Sequence, residues 1–449
     1  MKSRIYLLIL PAVLLLHSCG LYRNYNTPAV EYDTEVLCSR DTASQSVASL
    51  SWRELFTDSL LVELIDSALI RNTDLRMAQL KTKEAAATLT ASRLAFLPSF
   101  SLKAEGGISN TSPANFTIAP SASWEIDIFG KQRNLKEGAK AAFYASEAYR
   151  QVVHTQLIAT VASSYFTLLM LDEQLSISER TLKTWDENIR ALQALKRAGR
   201  TNEAIVLQAR ANRTAVENSV LSLRNRIYVQ ENAIRSLLLS PDWEIERGSL
   251  NEQIFPDSLT EGIPLEYLSK RPDVREAEFL LENAFYNVNV ARAAFYPTLT
   301  LSGLIGWTTS AGNVANPSSW IGNALGAVVA PLFNRGTNKA NLKIAQSEYE
   351  IAFLNFQQKL FDAGMEVNDA LSAWQTSKNR VNLDKKQIAA LQGAVHNTRL
   401  LMRNSTTNYL EVLIAQQRLL EAELTEASDR FEVIQAIINL YRSLGGGTE

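Results

Sequence analysis

Residues 92–102 read SRLAFLPSFSL, and residues 291–301 read ARAAFYPTLTL. At an offset of 199 the two phrases pair Arg93 with Arg292, Ala95 with Ala294, Phe96 with Phe295, Pro98 with Pro297 and Leu102 with Leu301. The same offset lays LIRNTDLRMAQ (69–79) on LSKRPDVREAE (268–278), matching Asp74 with Asp273, Arg76 with Arg275 and Ala78 with Ala277. Further on, Phe129 answers Phe333 at 204, and Val206, Leu207 and Ala209 answer Val412, Leu413 and Ala415 at 206. Such a period is far above the roughly 20 to 50 residues of solenoids and propellers. A domain-sized unit has been duplicated, and two halves of like shape are expected within one interleaved body.

Proline marks the organisation. All 12 prolines lie outside two windows, 121–240 and 332–449, both rich in strong helix formers. Gly199-Arg200-Thr201-Asn202 and Asn404-Ser405-Thr406-Thr407 put turn chemistry in the middle of each window. Each window therefore reads as a helical hairpin. Helices over 131–197 and 337–403 would run roughly 100 Å each, and return helices over 203–239 and 406–443 roughly 55 Å. Short helices over 72–95 and 273–295 would supply the missing length by stacking on the return helices. A wall of four such rods has a thin core, which predicts self-association.

Between each short and each long helix the period changes to two. In SFSLKAEGGIS (99–109), Phe100, Leu102, Ala104, Gly106 and Ile108 alternate with polar residues and Gly107. In FTIAPSASWEID (116–127), Phe116, Ile118, Ala122, Trp124 and Ile126 alternate with Thr117, Ser121, Ser123, Glu125 and Asp127. One apolar and one polar face is the pattern of a membrane-barrel strand, with lipid outside and water inside. It is equally the pattern of a half-buried soluble hairpin. TLTLSGLIGW (298–307) alternates as well, whereas WIGNALGAVVA (320–330) fits either phase. Phe100, Leu102, Phe116 and Trp124 are the lipid-facing candidates. Four strands cannot close a barrel, but three chains of four give twelve. The expected fold class is mainly α with a small β part.

The chain begins MKSRIYLLILPAVLLLHSC, with Lys2 and Arg4 ahead of an apolar run from Ile5 to Leu16. This run is too short to span a bilayer and has the build of a signal peptide, residues 1–18. Leu16-His17-Ser18-Cys19 resembles a bacterial lipobox, which makes Cys19 the lipidated first residue; ordinary cleavage near Ser18 is the alternative. Two or more lipid chains give stable anchoring. Beyond Cys19 no run approaches 18 apolar residues, so a membrane crossing is expected to be a barrel. Cys38 is the one other cysteine and leaves no disulfide framework.

A net charge of −2 lacks the basic footprint of a nucleic-acid partner. Beyond the signal segment the histidines are His154 and His396, both in expected helix interiors and away from any ligand cluster. No catalytic constellation, metal site or cofactor site is expected. Asp74 and Asp273 sit where helices begin, a placement the helix dipole explains.

SWRELFTDSLLVELIDSALIRNTDLRMA (51–78), SWEIDIFGKQRN (123–134), RPDVREAE (271–278) and ARAAFYPTLTLSGLIG (291–306) together resemble the outer-membrane efflux protein family. These are the TolC-like exit ducts, and the likeness is to the lipoprotein branch that serves resistance-nodulation-division pumps. The resemblance implies an outer-membrane homotrimer with a twelve-stranded barrel, a helical barrel crossing the periplasm, and an equatorial layer. Its implied partners are a periplasmic adaptor, an inner-membrane pump and outer-membrane lipid. An exit duct for type I protein secretion and a non-conducting coiled-coil lipoprotein are the rival readings.

The expected divisions are 1–18, signal; 19–71, lipidated extended segment and start of the first half; 72–240, first repeat; 241–272, equatorial connector; 273–444, second repeat; and 445–449, tail. At the hairpin turns the family commonly carries aspartates. This sequence has Ile205, Thr407 and Ile414 there, so no aspartate ring is expected. Candidate gate residues are Glu203, Tyr409 and Glu411, with Arg197, Arg200 and Arg403 as pairing partners.

Overall fold

A computed structural model describes residues 22, 24–28, 51–109, 112–253, 255, 268–310, 319–403 and 409–446. Cys19, Thr407 and the side chain of Arg403 lie outside the described set. The elements in order are α1 (Trp52–Leu55), α2 (Ser59–Arg71), α3 (Thr73–Leu94), β1 (Ser99–Ser109), β2 (Ser112–Ile126), α4 (Lys131–Arg197) and α5 (Glu203–Leu238). The second half follows as α6 (Pro272–Ala293), β3 (Thr298–Ser310), β4 (Ser319–Val329), α7 (Thr337–Arg403) and α8 (Tyr409–Ser443). α4 and α7 are each 67 residues, with the ends expected from the proline-free windows.

The chain forms two compact units, each drawing on both repeats. One comprises residues 1–31, 78–150 and 273–359, and holds the sheet. Its four strands are antiparallel in the order β1-β2-β3-β4. Asp127 starts α4 by accepting from the amides of Gln132 and Arg133, each at 2.9 Å. Phe129 stacks on Tyr296 at 5.0 Å. The N-terminal segment runs along α6. The Thr27 hydroxyl donates to Glu278 at 2.5 Å, Tyr25 meets Phe285 edge-on at 5.6 Å, and Tyr22 lies beside Gly130.

The second unit comprises residues 32–77, 151–272 and 360–449. Within 19–71, expected to hold an extended segment and the start of the first half, α1 and α2 form because Ser51 and Asp58 cap these helices and their apolar faces are buried. Phe56 packs on Phe166 and Tyr441 at 6.3 and 6.2 Å. Asp58 Oδ2 accepts from the Tyr165 hydroxyl at 2.7 Å and from Gln253 at 3.0 Å, tying the connector to this core. Arg247 adds ion pairs at 2.6 Å to both Asp172 and Glu231. By composition α4 contains a window apolar enough to cross a membrane, but it is over half buried inside the protein, as a core helix is.

Residues 445 and 446, expected as part of a tail, are packed against the core. Gly445 and Gly446 are buried and close α8 in a left-handed turn (φ 92° and 55°), their amides donating at 3.0 Å to the carbonyls of Arg442 and Tyr441.

Candidate functional site

The sheet presents two chemically different faces, fixed by its register. Phe100 lies opposite Ala122, Ala104 opposite Ile118, Trp124 opposite Leu301, and Trp307 opposite Trp320. All four pairs share one face with Leu102, Phe116 and Ile305. Phe100 and Leu102 are 81% and 71% exposed, so none of the described residues covers them. The opposite face carries a Ser101–Ser121 hydroxyl contact at 2.8 Å, a Thr117–Thr308 contact at 3.0 Å and a Lys103–Glu105 ion pair at 2.6 Å.

Register settles β4. Trp320 and Val328 join the apolar face, while Ile321, Asn323, Leu325 and Val329 fall on the face of Ser302 and Thr308. Apolar residues on both faces are why its alternation was unreadable.

The aromatic residues of the apolar face collect at its two ends. Phe116, Trp307 and Trp320 lie near the β1–β2 and β3–β4 turns, with the two indoles edge-to-face at 5.5 Å. Phe100 and Trp124 lie at the opposite end, where the Trp124 indole donates to the Phe96 carbonyl at 2.9 Å. Phe116 and Trp124 are eight residues apart on one strand, roughly 26 Å of strand at about 3.3 Å per residue, or about 20 Å along the bilayer normal at a barrel tilt of about 40°. A transmembrane barrel has an apolar band of about 25 Å between aromatic girdles. The girdle escaped sequence reading because the partners are paired only by the folded register.

Between these ends β2 and β3 approach closely. A Cβ at Gly306 would lie 2.3 Å from the Ile118 carbonyl and 2.6 Å from Ala119 Cα. Pro120, without an N–H, follows at the same place.

At the other candidate site, the turn of the first hairpin, α4 ends in a Schellman motif. Gly199 (φ 70°) donates to the Lys196 carbonyl at 3.0 Å and Arg200 to the Leu195 carbonyl at 2.9 Å. Asn202 then caps α5 through the Ile205 amide. Glu203 pairs with Lys196, which the sequence reading passed over in favour of arginines. This hydrogen bond holds its carboxyl below the usual range. Arg197, Arg200 and Glu411 are exposed, as is Ile414. Tyr409 is different. It is buried with Leu413 in a cluster with Trp185, Leu192, Val206 and Ala209, flanked by Ile205 and Met402. Burial pushes its phenol up to about 12.

α8 is fastened to α4 by a line of polar contacts. Ser163 donates to Gln435 at 2.6 Å, Gln174 to Ser428 at 2.9 Å, and Asn188 to Gln416 at 2.6 Å. His154 is half-buried on α4 and His396 is exposed on α7. Among the described residues no group of three or more His, Cys, Asp or Glu side chains could hold a metal ion.

A duplicated chain with long helical hairpins and a small sheet carrying an aromatic-rimmed apolar face defines an efflux-channel architecture. The chain belongs to the outer membrane efflux protein family, whose sequence model matches residues 64–238 and 263–446. It is 30% identical over 445 residues to the cation efflux system protein CusC of Escherichia coli K12, covering 97% of each chain. It is 29% identical over 457 residues to the probable outer membrane lipoprotein SilC of Salmonella typhimurium, covering 99% of each. A crystal structure of CusC matches with a TM-score of 0.86 at 29% identity, over 96% of this chain and 100% of that one.

Proposed function

We propose that the chain is the outer-membrane exit duct of a tripartite efflux system, conducting small molecules passively from an inner-membrane pump and periplasmic adaptor to the exterior, with no catalytic step. The observation that carries this is the sheet. Its apolar face is exposed, tall enough to cross most of a barrel's apolar band and rimmed by aromatics, and among the described residues β1 and β4 each have one partner strand. A homotrimer pairs β1 of one copy with β4 of the next, leaves no open edge and turns Phe100, Leu102, Phe116 and Trp124 to lipid.

Lipid attachment at Cys19 belongs to the same reading. Tyr22 lies at Gly130, just after β2 ends, so the described chain nearest in sequence to Cys19 sits by the end of the sheet that holds Trp124. The test is conductance of the purified full-length protein in a planar bilayer. Stepwise channels are expected; their absence from correctly assembled protein would leave a non-conducting periplasmic spacer.

A further inference from the structure

In the second hairpin α7 and α8 are held together by charges of which the aspartates are buried. Asp429 on α8 is 2% exposed, and its Oδ1 accepts from Nη2 of Arg380 on α7 at 2.5 Å. Nη1 of the same guanidinium donates to Glu432 at 2.8 Å. One turn beyond Arg380, the Asp384 carboxylate is 9% exposed and faces that of Asp429 within hydrogen-bonding reach. Its Oδ2 is buried and has no donor among the described residues. Two adjacent carboxylates cannot both ionise cheaply, and a buried acceptor without a donor is costly. A proton on Asp429 relieves the repulsion and offers a donor to its neighbour.

The first hairpin is an internal control. α4 and α7 begin 206 residues apart, as do α5 and α8. Arg380, Asp384 and Asp429 therefore correspond to Gln174, Ser178 and Leu223. There the three corresponding positions are neutral: Ser178 and Leu223 are buried, the Ser178 hydroxyl donates to the Gln174 carbonyl at 2.8 Å, and the charge across the seam is the exposed Glu179–Arg224 pair. The fold does not require acids at this place, yet the second hairpin has two.

We propose that Asp429, buried against Asp384 and Arg380, forms a pH-sensitive latch between α7 and α8, tight while its carboxyl holds a proton and loosened when it ionises. The charged groups facing Asp429 are Arg380 and Asp384 from α7 and Glu432 from its own helix. α4, also bonded to α8 here, contributes the neutral Gln174, whose amide binds Ser428. Burial first, then the hydrogen bond with Asp384, raises the Asp429 carboxyl to about 6. An acid whose value is raised in the packed state binds its proton more tightly there. The contact is therefore strongest below the ordinary carboxylate value of about 4 and weakens as pH rises towards about 6. The latch belongs to the hairpin and stands whether or not the chain conducts.

Hydrogen exchange of the full-length protein in detergent, between pH 5 and 7.5 and corrected for intrinsic exchange, tests it. Protection over 376–388 and 425–433 is expected to fall about tenfold with rising pH, while 170–182 and 219–227 hold steady. Asp384→Asn should flatten the profile. Arg380→Gln/Asp384→Ser/Asp429→Leu, which grafts in the first hairpin's own residues, should flatten it too and covers the case where the single variant misfolds. A flat wild-type profile, or an unchanged slope in either variant, overturns the latch.

Discussion

Arg271 donates through Nη1 to the carbonyl of Ser443 at 2.7 Å, joining the residue just before α6 to the last residue of α8. The same guanidinium reaches the Ala363 carbonyl at 3.4 Å and Glu366 at 2.9 Å. In the first half Asn72 stands in the place of Arg271, and its amide reaches the carbonyl of Leu237, the counterpart of Ser443, at 3.4 Å. Both repeats thus bring the start of a short helix to the carbonyl end of a return helix, where the dipoles complement each other. Arg271 is 5% exposed, so its loss strands buried acceptors. Arg271→Ala is expected to cost about 1.5–3 kcal/mol in thermal unfolding, with partial recovery in Arg271→Lys, which keeps the charge but not the fork. Asn72→Ala should cost about 1 kcal/mol through the lost cap of α3.

The helices were legible because their signals are local. Proline exclusion and one turn per window bound α4 and α7, and period-two alternation exposed β1, β2 and β3. What stayed hidden depends on contacts distant in sequence. Trp307 meets Trp320 only once β3 and β4 are in register, and Tyr409 looks like a polar turn residue until α8 docks on Trp185. Glu203 pairs with Lys196 and not with an arginine closer in sequence, because the Schellman turn folds the end of α4 back across the start of α5.

Gly306 and Gly322 separate backbone crowding from simple loss of a glycine. A side chain at Gly306 meets the Ile118 and Ala119 backbone, while nothing lies within 4 Å of one at Gly322. Gly306→Val should abolish assembly into heat-stable oligomers, and Gly322→Ala should leave it intact. Equal oligomer yields on a denaturing gel would contradict the close approach of β2 and β3.

The face assignment predicts opposite responses from neighbouring residues. An arginine near the bilayer midplane on the lipid side costs about 2–4 kcal/mol, whereas a lumen position tolerates it. Leu102→Arg should therefore insert poorly, and Ser101→Arg should insert and shift ion selectivity. Membrane-fraction yields that match between the two would reverse or void the assignment.

Cys19→Ala should abolish incorporation of a radioactive fatty acid while leaving some protein in the membrane, since a barrel holds itself there independently. Tyr22→Ala, which removes the contact at Gly130, should leave labelling intact but loosen the segment along α6, seen as faster proteolysis. An unlabelled wild-type chain would return the N-terminus to ordinary signal cleavage.

At the hairpin tip, packing is expected to outweigh charge in keeping the helices together. Glu203 and Lys196 are exposed, and such pairs contribute little in water. Tyr409 instead joins Leu413 to Trp185 and Leu192, so the second hairpin is held to the first by buried aromatic surface. Its phenol, raised to about 12 by burial, stays neutral at every physiological pH and brings no charge to the seam. Removing a buried aromatic side chain costs about 3–5 kcal/mol, enough to release α8 from α4 where a lost surface pair is not. Tyr409→Ala should raise the resting conductance in a planar bilayer and Trp185→Ala should do the same, because each empties one side of a single contact. Tyr409→Phe keeps the ring and should leave the conductance low. Glu203→Gln and Glu411→Gln should change it little. A large conductance increase in Glu203→Gln with none in Tyr409→Ala would place the gate in the turn carboxylates instead.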